Sequence, residues 1–176
     1  MSEYYYFGAS LPMLRMNQAP PISYDSFMKA CSENLSRRDM ADMRLAVLSG
    51  GEGDATLSVV RAFRRYASEL NKAINHERAK RLGFSGYEKG SDDKSISDRA
   101  REIVALSDPL KAEREVLSSY FDFLSSYESI SPFSAESLMI YSLKLQIIEV
   151  SSSFSPEQGR SEFDKLYKSI EEDIFR

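Results

Sequence analysis

The sequence predicts an all-α fold, a helical bundle of about six to seven helices with an extended N-terminal arm. Three observations predict it. Beyond residue 22, apolar residues recur at three- and four-residue spacing, without the strict alternation of half-buried strands. Ser or Asp precedes most of these stretches, and Gly or Pro follows several of them, as helix caps and stops require. The chain has 176 residues, 42% hydrophobic and 28% charged, which suffices for one core, so residues 1–176 form a single domain.

The arm comes first. In residues 1–22, Pro12, Pro20 and Pro21 forbid a continuous helix, and Tyr4 to Phe7 favours extended structure packed across the helices. Ser23 caps a first helix from Tyr24 to about Asn34, with Phe27, Met28, Cys31 and Leu35 at helical spacing. Ser36 and Asp39 resemble a capping box for a second helix, which uses Met40, Met43, Ala46 and Val47 and stops at Gly50 and Gly51. A third helix runs from about Asp54 or Ala55 to Leu82, a span of roughly 40 Å. Its apolar face is Val60, Phe63, Ala67, Leu70 and Ile74; Arg61, Arg64, Arg65, Lys72, Lys80 and Arg81 take the opposite face.

Residues 83–98 mix Gly, Ser, Asp and Lys and read as a mobile surface loop. A fourth helix spans about Ile96 to Leu106. Asp108-Pro109 is a cap followed by proline at the first helical position, opening a fifth helix to about Tyr127. Ser134 caps a sixth, from Ala135 to about Ser151, which is apolar almost all round and should be the most enclosed. Ser155 starts a final helix with Phe163, Leu166, Tyr167, Ile170 and Ile174 as its stripe.

The charge balance is 23 basic against 27 acidic residues, a net charge of -4, with a pI near 5.2. That argues against wholesale binding of nucleic acid or anionic membranes, which needs a basic field. No stretch reaches the length of a membrane span, so direct membrane insertion is not expected, and a cytoplasmic location follows by default. Cys31 has no second cysteine to pair with and sits where a small core residue would.

Chemistry has little to draw on. The one histidine, His76, cannot build a paired di-iron or zinc cluster, and no Gly-x-Ser-x-Gly elbow accompanies it. Leu48-Ser49-Gly50-Gly51-Glu52 matches the signature string of ABC ATPases, but the phosphate loop that must accompany it does not occur. The run Glu171, Glu172, Asp173 points in three directions on a helix and reads as a solvated face. The expectation is a non-enzyme with no cofactor, no bound metal and no catalytic residue.

Two features suit a partner. Seven Lys or Arg residues lie between Arg61 and Arg81 on the third helix, and Arg61, Arg64, Arg65 and Lys72 form a face that could dock an acidic protein or, less well given the acidic total, nucleic acid. The run Tyr4-Tyr5-Tyr6-Phe7 offers large amphipathic contact area at low entropic cost, inside the fold or on a partner.

The string Tyr4-Tyr5-Tyr6-Phe7-Gly8-Ala9-Ser10-Leu11-Pro12-Met13-Leu14, with Pro20-Pro21-Ile22-Ser23, Phe27 to Cys31, Leu35-Ser36 and Asp39, resembles an uncharacterised bacterial family encoded among the genes of V-type ATPases. The match covers residues 4 to about 40. More distantly, the opening followed by helices is similar to the start of the socket subunit of V/A-type ATPases, the helical piece that joins the central stalk to the membrane ring. The resemblance implies a non-catalytic subunit or assembly factor whose partners are the stalk or catalytic subunits of such an ATPase, peripheral to the membrane through that complex.

Overall fold

A computed structural model of the chain describes residues 4–48, 57–84, 92–128 and 133–154, with 160, 164, 165 and 167 beyond them. The described residues form seven helices and no strand: α1 (Tyr5–Ser10), α2 (Tyr24–Asn34), α3 (Arg37–Leu45), α4 (Ser58–Arg81), α5 (Lys94–Ala105), α6 (Pro109–Ser125) and α7 (Ala135–Ser153). The expected all-α bundle is what the chain builds.

Local chemistry sets most boundaries. Ser23, Ser36 and Ser134 each accept a hydrogen bond from the backbone N–H three residues on, and the Asp108 carboxylate accepts from Leu110 and Lys111 beside Pro109. Asp93 caps α5 through the Ser95 N–H at 2.8 Å, so this helix starts at Lys94, two residues before the expected Ile96 and inside the stretch read as loop. The same bonds from Ser95 hold the Asp93 carboxyl below its ordinary value. Helix α3 ends at Leu45, short of the glycines expected to stop it. Helix α4 begins at Ser58, about four residues late. Residues 49–56, which contain that glycine string, and 85–91, in the expected mobile loop, lie outside the described residues. So do Glu171, Glu172, Asp173 and most of the expected final helix.

The arm departs from the expectation of extended backbone. Among the described residues of the arm, Tyr5–Ser10 is a helix that follows the turn residue Tyr4, and Leu11 to Ser23 is non-helical. Aromatic preference for extended backbone gives way because the segment gains more by packing. The Tyr4 N–H donates to the Phe133 carbonyl at 3.3 Å, and Phe7 stacks over Phe27, which in turn meets Tyr141 with centroids 5.1 Å apart. Pro12 then does what proline does and closes the helix before it.

The most extensive packing pairs α4 with α5 and α6 with α7. Helix α7 is the axis of the core. Leu138, Met139, Ile140, Leu143, Leu145, Ile147 and Ile148 are all buried, on nearly every side of the helix. Around them lie Phe27, Cys31, Met43, Phe63, Leu70, Ile103 and Leu124. Burial pushes the Cys31 thiol up to about 12, the state of an inert core residue.

Two outcomes test this packing. Leu143→Ala removes a fully buried side chain and should cost about 3 kcal/mol in urea unfolding, whereas Leu110→Ala on the surface should cost under about 1 kcal/mol. Tyr4, Tyr24, Tyr66, Tyr120 and Tyr141 all have phenols raised above the ordinary 10.0, burial being the first cause for each, with Tyr141 at about 12. The folded state therefore favours their neutral form. The phenols' share of stability should be level below pH 10 and fall as pH rises from 10 towards 12, after an earlier fall from about pH 9 as the Cys31 thiol begins to ionise in the unfolded chain, read as a dropping urea midpoint alongside phenolate absorbance.

Candidate functional site

The tyrosine run is divided by the fold. Tyr4 points inward: 7% exposed, its hydroxyl donates to the Asp39 carboxylate and accepts from the Ser36 N–H at 3.3 Å. Asp39 also accepts from the Ser36 hydroxyl at 2.7 Å, while its own N–H donates back to that hydroxyl at 3.1 Å. The capping box of α3 thus doubles as the socket for Tyr4. Burial, then the hydrogen bond to Asp39, raises the Tyr4 phenol, so it stays a neutral donor.

With Tyr4 anchored, Tyr5 and Tyr6 are carried outward, 49% and 83% exposed. Tyr5 meets the Phe133 ring edge-on at 4.9 Å and the Tyr6 ring at 5.6 Å. Phe133 itself has φ 64°, and a Cβ placed on Gly8 would stand 2.6 Å from its Cδ1. Only glycine admits the ring so close to α1. Met13, further along the arm, is also exposed, and Tyr141 fixes the arm by donating its hydroxyl to the Pro12 carbonyl at 3.0 Å.

The basic face of α4 is less uniform than its sequence. Arg61 and Lys72 are exposed. Arg65 is exposed and lies 3.8 Å from Glu69, one turn on. Arg64 is half-buried and donates to the Leu45 carbonyl at 2.8 Å, closing the open end of α3. It joins two helices rather than presenting its charge. His76 is half-buried on the same helix.

Sequence reasoning passed over the polar residues of α7. Lys144 is 4% exposed, with its Nζ 2.6 Å from the Glu128 carboxylate and 4.3 Å from the centre of the Phe121 ring. Gln146 donates to the Ala46 carbonyl at 2.8 Å and accepts from the Leu48 N–H at 3.0 Å. The signal was present, since a Lys and a Gln inside an apolar helix demand partners. Among the described residues, no group of three or more His, Cys, Asp or Glu could hold a metal ion. No described helix is long and apolar enough to cross a membrane.

Comparison with protein-family models, with curated proteins and with solved structures yields no match.

The anchor and the exposed rings should respond differently to substitution. Tyr4→Phe loses the bonds to Asp39 and Ser36 and should cost about 1 kcal/mol. Gly8→Ala forces the Phe133 ring aside and should cost about 1–2 kcal/mol. Tyr6→Ala should leave stability within about 0.5 kcal/mol, all three read from chemical denaturation.

Proposed function

We propose that the chain is a non-catalytic helical subunit or assembly factor of a V/A-type ATPase, in a central-stalk position or one like that of the socket between stalk and membrane ring. The observation that carries the reading is the N-terminal motif. Its string resembles the ATPase-associated family, and the rings of Tyr5 and Tyr6 stand in solvent while Tyr4 holds their backbone in place. A pre-anchored pair of aromatic rings supplies contact area with little ordering cost, as interface anchors do.

A second reading, an adaptor for an acidic protein or nucleic acid through α4, draws support from Arg61 and Lys72. Both are exposed, and neither has a carboxylate partner among the described residues. Half-buried Arg64 weakens it.

Purification of the tagged protein from its own cells under mild conditions should recover stalk or catalytic ATPase subunits. Tyr5→Ala with Tyr6→Ala should abolish that recovery, and R61E with K72E should leave it intact. Recovery of no ATPase subunit overturns the proposal; loss on charge reversal alone transfers it to the adaptor reading.

A further inference from the structure

We infer that the end of the molecule where α4 and α5 finish and α6 begins is a docking groove for an acidic amphipathic helix of a partner protein. Two hollows meet there. One, of about 550 Å³, is bordered by Glu77, Lys80, Arg101 and Ala105; the other, of about 310 Å³, by Arg78, Leu82, Leu106 and Pro109; both share Arg81 and Val104.

The backbone of this end is closed by hydrogen bonds. Gly83, at φ 81°, donates its N–H to the Lys80 carbonyl at 3.1 Å, and the Phe84 N–H donates to the Ala79 carbonyl at 2.9 Å. This pairing is the glycine-based helix stop in which the residue after glycine ordinarily covers an apolar side chain of the last turn. Here that side chain is the methyl of Ala79, and Phe84 is 68% exposed, with Leu82 at 73%. Leu106 and Leu110 add exposed apolar surface from the α5–α6 junction, and Leu82 and Leu106 border the smaller hollow directly.

The rim is cationic. Arg78 and Lys80 have no carboxylate partner among the described residues, and Arg81 donates to the Val104 carbonyl at 2.8 Å. Arg101 is matched, by Asp98 at 2.7 Å and Glu77 at 3.8 Å. The end of α4 would favour cations on its own account, but its dipole amounts to roughly half an elementary charge against three side chains. The surplus positive charge around an apolar hollow complements a helix with leucines on one face and carboxylates on its flanks. None of Tyr5, Tyr6, Arg61 or Lys72 takes part, so the groove is independent of the ATPase assignment.

The probe is a fluorescein-labelled 18-residue peptide with Leu at helical spacing and Glu elsewhere, titrated with the full-length protein by anisotropy. A scrambled peptide of the same composition and phosphatidylglycerol vesicles serve as comparisons. Saturable binding should weaken about tenfold or more in R78E/K80E and in L82S/F84S, with unchanged circular dichroism melts, and the scrambled peptide should not bind. Should L82S/F84S misfold, L82S alone takes its place. No peptide binding, equal binding of the scrambled peptide, or indifference to both variants overturns the inference. Vesicle binding lost in the same variants without peptide binding reassigns the surface to lipid.

Discussion

Enclosure of α7 is the constraint from which the rest of the structure follows. A helix buried on nearly every side must have neighbours on every side, and each neighbouring segment brings backbone groups that its own helix cannot satisfy. Helix α7 supplies their partners from its few polar positions. Glu149 accepts from the Tyr24 N–H at the start of α2, and Gln146 serves both Ala46 and Leu48 beyond α3. Tyr141 reaches the Pro12 carbonyl in the arm, and side chain to side chain Glu136 accepts from the Ser58 hydroxyl at the start of α4 and Lys144 holds the Glu128 carboxylate beyond α6. The apolar surface provides the driving force; the polar side chains set which end meets which.

Lys144 shows how delicate such an arrangement is. An ammonium taken out of water costs several kcal/mol unless it is paired. Here Glu128 and the face of Phe121 share that task, and the carboxylate stays largely in solvent, where its own desolvation is small. Arg64, half-buried, likewise joins α4 to α3 through its bond to the Leu45 carbonyl. A long cation with an apolar stem can tie elements together while its head group is met by a neighbouring element.

At the surface the same logic separates fastening from presentation. Tyr4 completes the capping box of α3 and becomes part of the core, so its two neighbours are displayed at a fixed angle. At the opposite kind of site, the stop of α4, backbone bonds hold Leu82 and Phe84 in place while their side chains remain uncovered. In both places order without burial is obtained by committing backbone or hydroxyl bonds to the neighbour. The tyrosine run was legible as an interaction feature, but which ring turns inward depended on Asp39 and Phe133, residues 35 and more positions away. Likewise the α4 face was legible as basic, though the withdrawal of Arg64 depended on where α3 ends.

Residue order by itself determined the helical class, the span of α7 and the caps at Ser23, Ser36, Asp108 and Ser134, because these depend on spacing and on side chains within four residues of the backbone they serve. It also placed Cys31, Phe63 and Leu70 in the core. Only the tertiary structure decided that Tyr5–Ser10 is helical, that Lys144 and Gln146 are structural partners, and that Arg64 is withdrawn from the face on which Arg61 stands. Each of these turns on contacts between distant segments, where packing and the need to satisfy buried polar groups outweigh the tenths of a kcal/mol that local propensity contributes.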